Sequence, residues 1–284
     1  MSGNDNPVIT IITSTLNAAS HLPWTIASVR GQTYGNIQWI VVDGASTDGT
    51  VELLRDNEDV VDTWISEPDD GIYDAWNKAL KHVRGDWVQF LGAGDEFESP
   101  TVLEELAPAL AAARPRHDLV YGKLRLLSGR TREVVGERGE DWSVTRNRWL
   151  AFRPDLPPLL AVFHHVSLFS EGGAYDRSFA LAADSLFLLR CLKRKDPLFI
   201  DRVVVRMPVG GASSTVAGEL LGKREDMRLS RMLGLRAPLR HRVRARLRYR
   251  MEVLFYRLFG ERWFVRGSRF YRAIRGRGRS KWDL

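Results

Sequence analysis

The residues of this chain that could do chemistry fall in four short stretches. They are Thr13-Ser14-Thr15-Leu16-Asn17, Asp43-Gly44-Ala45-Ser46-Thr47-Asp48, Glu67-Pro68-Asp69-Asp70-Gly71 and Gly94-Asp95. All are small, hydroxylated or acidic. Such carboxylates suit a divalent cation that offsets phosphate charge, because hard cations take oxygen ligands. No GxGxxG follows the first apolar run and no GxxxxGK[ST] occurs, which speaks against a dinucleotide site or a P-loop. Asp95, inside FLGAGDEF at residues 90–97, reads both as a metal ligand at a strand end and as a turn former.

Each stretch follows a β-rich run, and the runs alternate with helical patterns, as in a mostly parallel α/β sheet with crossover helices. Residues 8–12 predict a first strand, 23–29 a helix, and 37–42 a second strand ending at Asp43-Gly44. Ser46 or Thr47 can cap a helix through residues 51–54. A third strand is expected at 63–66, a helix at 73–83 with Ala75, Ala79 and Val83 on one face, and a fourth strand at 86–91. Ser99-Pro100 predicts a cap and first helical position for a helix reaching Ala113. Ligands of open α/β sheets bind outside the carboxyl ends of the strands, so the four stretches share the binding edge.

Beyond residue 113 the pattern changes. Residues 119–127 and 132–135 read as antiparallel strands, 155–158 as irregular, 181–192 as a helix and 198–206 as a strand. From Gly222 basic helices follow, broken near residues 234–238 and at Gly260, and the chain ends in an Arg-Gly tract over 275–279. Two domains are therefore expected, 1–221 and 222–284.

With 44% hydrophobic and 27% charged residues over 284 positions, the chain can bury a sizeable core. A single cysteine, Cys191, rules out an intramolecular disulfide or a cysteine-based zinc cluster and favours a reducing compartment. Residues 1–6 lack a signal-peptide pattern and no run of about 18 apolar residues occurs, so a cytoplasmic location is expected. The net charge of +7 hides an asymmetry: residues 222–284 hold 20 Lys/Arg against 5 Asp/Glu, leaving the body acidic.

Four blocks in order, ITIITSTLNAA, IQWIVVDGASTDGT, ISEPDDGIYDAWNKAL and GDWVQFLGAGDEF, resemble glycosyltransferase family 2, inverting nucleotide-sugar enzymes of the GT-A fold. The resemblance spans residues 7–100 and implies that 1–100 form the nucleotide-sugar-binding half and 101–221 the acceptor-binding half. It implies that Thr13 and Asn17 line the nucleotide pocket and that Asp43 contacts base or ribose. Asp74, Asn77 and Lys78 would border the diphosphate, with Lys78 a point charge for phosphate. Asp95 would hold Mg²⁺ or Mn²⁺, and the donor would be a UDP-linked sugar. Relatives often carry paired aspartates where this chain has Asp43-Gly44 and Gly94-Asp95.

Downstream, Phe163-His164-His165, Gly172 to Asp176 and Leu181 to Asp184 resemble the acceptor half of the same family. By that resemblance Asp184, at the head of a helix, is the general base, and His164 reaches the metal or diphosphate. The acceptor would be a glycan or polyprenyl-linked saccharide in cell-surface polysaccharide synthesis. A catalytically weakened GT-A domain that binds nucleotide sugar or adapts to a membrane is the alternative.

Leu247, Met251, Leu254, Phe255 and Leu258 recur at helical spacing among Arg244, Arg246, Arg248 and Arg250. This pattern reads as an amphipathic segment for an anionic membrane surface, which would make the protein peripheral at the inner face of the plasma membrane. Packing of the same stripe on the catalytic body is the other reading. No nucleic-acid recognition motif accompanies the charge.

Overall fold

Long β-branched runs form the middle of the sheet. The computed structural model describes residues 6–210 and 215–274. Strands β1 (Ile9–Thr15), β2 (Ile37–Asp43), β3 (Thr63–Ser66) and β4 (Trp87–Phe90) lie in the order β3-β2-β1-β4, all parallel. Helices α1 (Leu22–Arg30), α2 (Thr50–Arg55) and α3 (Ile72–Leu80) make the crossovers. Ile9, Ile11, Ile12, Ile40, Val41 and Val42 are fully buried, because a parallel strand covered on both faces must be apolar on both. The α3 helix turns Tyr73, Ala75, Trp76 and Ala79 inward over β1 and β2. It stops at Leu80, short of the expected Val83.

In the rest of the sheet, β5 (Glu96–Phe97), β6 (Leu119–Leu127), β7 (Val134–Arg138), β8 (Val162–His165) and β9 (Leu198–Pro208) continue the order as β4-β8-β6-β9-β5, with β7 beside β6. The pairs β4–β8, β8–β6 and β9–β5 are antiparallel, and β8 separates β4 from β6. Its four residues are too few to show a period, so the Phe163-His164-His165 block gave no strand signal. Around the sheet lie α4 (Val102–Ala113), α6 (Ser167–Gly172) and α7 (Ala183–Leu192), and a short α5 (Trp142–Thr145) follows β7 in the chain. The expected cap at Ser99 is displaced: α4 begins after Thr101, because Gln32 and Thr33 draw the Ser99 and Pro100 carbonyls into hydrogen bonds.

The chain forms two compact units: one of residues up to Arg125, 137–142 and 157–207, the other of 126–136, 143–156 and from Pro208 onward. The second holds α8 (Val216–Met232) and α9 (Leu239–Ile274), the latter interrupted at Gly260 with φ 71°. Thr215 caps α8 by accepting from the Gly218 amide at 3.0 Å, so the basic extension starts before the expected Gly222 and the 221/222 boundary falls inside a helix. Arg153 pairs with Asp226 at 2.9 Å and Phe152 meets Tyr249 edge-on, which fastens residues 143–156 to these helices. The Arg-Gly tract lies outside the described residues. No helix among the described residues is long and apolar enough to cross a membrane.

Candidate active site

At the end of β2, register places Asp43 beside Thr15 of β1 and Ser66 of β3. The fully buried carboxylate accepts from Thr15 Oγ1 (2.9 Å), Ser66 Oγ (2.7 Å), Ser46 Oγ (2.5 Å) and the Ser46 amide (2.9 Å). Burial pushes its pKa up, but the bonds from Ser46, Ser66 and Thr15 outweigh that and hold it below the usual carboxylate value. Asn17, exposed and at φ 49°, accepts the Thr47 amide at 3.0 Å and donates its own amide to Ser46 Oγ at 2.7 Å. It thereby ties the two strand-end loops together. Thr13 is corrected: it is fully buried, accepts the Trp39 Nε1–H at 3.0 Å, and belongs to the core rather than to a pocket wall.

After β3, Lys78 donates to Glu67 Oε1 and to the Pro68 carbonyl, both at 2.8 Å, and lies 3.5 Å from Asp74 Oδ2. Asp74 also meets Arg177 Nε at 3.2 Å, and Arg177 pairs with Asp70. The Asp70 amide first, then Arg177 and Lys78, keep the Asp74 carboxyl below its usual range against the opposing effect of burial. Asn77 exchanges two hydrogen bonds with the Tyr175 backbone, at 2.9 and 2.8 Å. Its amide is thus spent on joining α3 to residue 175.

After β4 the chain turns tightly. The Gly92 amide donates to Asp95 Oδ2 at 3.0 Å, and Thr25 Oγ1 sits between the Gly94 amide (2.8 Å) and the Asp95 carbonyl (2.9 Å). Asp95 is therefore the turn former here. Burial pushes its carboxyl up to about 7 against the Gly92 bond, and it enters no ion pair among the described residues. A buried carboxylate without a positive partner fits a cation. No cluster of three His, Cys, Asp or Glu among the described residues could hold one unaided, so the fit is to a cation shared with a phosphate-bearing ligand.

Asp184 stands on the first turn of α7 and accepts from the Tyr73 hydroxyl at 3.0 Å. Burial, then the charge of Asp184, drives the Tyr73 pKa upward, so the phenol stays a donor. Sequence reasoning missed Tyr73, which it placed only at the start of the helix over 73–83. Its one available signal was a hydroxyl on an inward face, since a buried tyrosine hydroxyl needs a partner. Arg177 was missed too, for it lies 103 residues after Asp74 and no local pattern joins them.

His164 is the second correction. It is fully buried among Phe90, Phe169 and Phe187, with Nδ1 3.3 Å from the Val88 carbonyl. Burial lowers its pKa to about 4, which leaves a neutral core imidazole with no access to a diphosphate.

A family model described as glycosyl transferase family 2 matches residues 10–165. A protein of Mycobacterium tuberculosis described as an uncharacterized glycosyltransferase is 34% identical over 211 residues, covering 73% of this chain and 78% of the relative. A PGL/p-HBAD biosynthesis glycosyltransferase of Mycobacterium bovis BCG is 32% identical over 247 residues, covering 81% and 88%. Among solved structures, S. aureus TarS 1–349 with UDP matches at a TM-score of 0.60 with 19% identity, over 82% of this chain and 67% of that one. Mannosyltransferase PcManGT from Pyrobaculum calidifontis, with GDP-Man and Mn²⁺, matches at 0.59 with 19% identity, over 87% and 70%. These structures share the GT-A arrangement of sheet and helices. The sequence blocks, the family match and the mycobacterial relatives agree that the chain belongs to glycosyltransferase family 2.

Proposed function

We propose that this glycosyltransferase works by inversion, moving one sugar from a nucleoside diphosphate donor, a UDP-sugar, to a hydroxyl of a glycan or polyprenyl-linked saccharide in cell-surface polysaccharide synthesis. The observation that carries the reading is the Tyr73–Asp184 bond, which fixes a helix-head carboxylate against the first turn of α3. Inverting displacement needs one base on the acceptor side while the diphosphate leaves from the opposite face. Tyr73 donates to Oδ1 of Asp184 and orients the carboxylate that takes the acceptor proton.

On the donor side, the Asp43 network shapes the loop that receives base and ribose, and Asn17 holds its outer edge. Lys78 exchanges Glu67 for the diphosphate, with Asp74 limiting its reach. Mg²⁺ or Mn²⁺ would enter with the donor, with Asp95 its one protein carboxylate, and would offset charge on the leaving diphosphate. Complexes of the structural neighbours with UDP and with GDP-Man and Mn²⁺ support a nucleotide donor and such a cation. The PGL/p-HBAD role of a relative supports a biosynthetic one. The exposed stripe of α9 supports peripheral attachment at the inner face of an anionic membrane.

The test is Asp184→Asn, assayed for transfer from UDP-sugars and, separately, for UDP binding by thermal shift. Transfer is expected to fall by about 10²–10⁴-fold, the range for loss of a general base, with UDP binding unchanged. Full activity in the variant overturns the assignment.

A further inference from the structure

One side of the second unit gathers positive charge that enters no ion pair among the described residues. A solvent-open cavity of about 520 Å³ lies between the end of α8, the connection at residues 234–237 and the first turns of α9. Arg231, Arg236, Arg242, Arg246 and Arg250 line it, and no carboxylate among the described residues does. Three acids of these helices are engaged elsewhere: Asp226 by Arg153, Glu219 by Lys223, and Glu252 by Lys223 and Arg248. None of the five cavity arginines joins an ion pair among the described residues.

The three from α9 are spaced i, i+4, i+8 and so form one row along the helix. The helix face beyond that row is apolar and open: Leu247, Met251 and Leu258 are 59%, 63% and 66% exposed, with Leu239, Val243 and Leu254 exposed beside them. Arg244 flanks the far side of this stripe and Arg240 stands exposed in the helix's first turn. The inward face is a different one, where Tyr249, Val253 and Tyr256 pack against Val216, Leu220 and Phe264. The stripe is therefore not core, and its two arginine borders are those of a helix lying in a membrane interface. Guanidinium groups suit phosphate oxygens through paired N–H donors.

We infer that the arginine cavity seats the phosphate head group of an anionic membrane lipid while the adjoining stripe of α9 enters the boundary between head groups and acyl chains. The inference deepens the membrane reading above and is independent of sugar transfer. Phosphatidic acid, with its terminal phosphate, is the matching head group, and phosphatidylglycerol tests charge without a terminal phosphate.

The experiment is co-sedimentation of the full chain with phosphatidylcholine vesicles carrying equal anionic charge from phosphatidic acid or from phosphatidylglycerol. The wild type is expected to prefer phosphatidic acid. Arg246→Gln/Arg250→Gln should erase the preference, with a loss on phosphatidic acid of at least roughly tenfold. Arg240→Gln/Arg244→Gln, which removes the same charge from the same helix, should weaken both kinds of vesicle and keep the preference. Equal effects of the two pairs overturn the cavity while leaving general membrane attachment standing. Absence of wild-type binding to any anionic vesicle overturns both. A thermal shift with inorganic pyrophosphate, abolished by Arg246→Gln/Arg250→Gln without vesicle binding, would make this a soluble-anion site and overturn the lipid assignment.

Discussion

β2 and β4 lie on either side of β1, and the carboxyl end of each carries a buried aspartate in opposite surroundings. Four donors converge on Asp43, from three strand ends and their loops. Asp95 receives one, from an amide three residues away. The first carboxylate is satisfied within the protein and holds its loops in shape. The second is buried at a disadvantage, which protonation or a bound cation would relieve. In the proposed site Asp43 would build the pocket and Asp95 would wait for a ligand.

The sharpest way to break this comparison is Asp43→Asn. An amide offers one acceptor oxygen where four donors now point, and its NH₂ faces hydroxyls and an amide already donating inward. Unfolding in urea should show a loss of about 3 kcal/mol, the scale for breaking a buried hydrogen-bonded charge. The pH dependence has a definite sign. The folded pKa of Asp43 lies below its unfolded value, so its stabilisation is complete above the unfolded pKa near 4 and is lost as pH falls through the folded one. Wild-type stability should drop on acidification below pH about 4 more steeply than that of Asp43→Asn.

The glycines that replace the family's paired aspartates sharpen the contrast by smaller steps. Gly94 has φ 97°, and a Cβ there would stand 3.2 Å from His21 Cβ at the head of α1. Gly94→Ala should cost about 1–2 kcal/mol, and Gly94→Asp no less. A Cβ at Gly44, where φ is not left-handed, would meet only the flexible Asp69 carboxylate at 2.7 Å and Leu16 Cδ1 at 3.4 Å. Gly44→Ala is expected to change stability by less than about 0.5 kcal/mol. Thermal denaturation of the three variants ranks them.

Much of this site was legible because parallel strands announce themselves. Their apolar runs are contiguous, their ends carry Gly, Asp and Ser, and residues 63–66 and the blocks around Asp43 and Asp95 fell where the sheet puts them. Contacts joining distant segments were not legible. Nothing in the local pattern couples Tyr73 to Asp184 or Arg177 to Asp74, and a four-residue β8 wedged between β4 and β6 has no period to read. Thr13 and His164 show the converse failure. Both are polar and near the expected edge, but strand alternation and the aromatic cluster decide which way a side chain points, and those two point inward. In the tail, helical spacing identified an apolar stripe but could not say which face α8 covers; the covered face proved to carry Tyr249, Val253 and Tyr256.

The most telling variant for function is one expected to disturb the folded protein little. Asp95→Asn keeps an oxygen for the Gly92 amide and removes a charge that burial disfavours, so its stability should stay within about 1 kcal/mol of wild type, unlike Asp43→Asn. If Asp95 shares a cation with the donor, the penalty surfaces only when ligand is present. Mn²⁺ and UDP together should raise the melting temperature of the wild type beyond what UDP does alone, since a ligand stabilises the state it binds, and Asp95→Asn should lose that increment while keeping the response to UDP. An unchanged Mn²⁺ increment in Asp95→Asn would return Asp95 to the role of turn former. A collapse in stability without any ligand would mean that both strand ends are scaffolds and that the contrast between them is one of geometry alone.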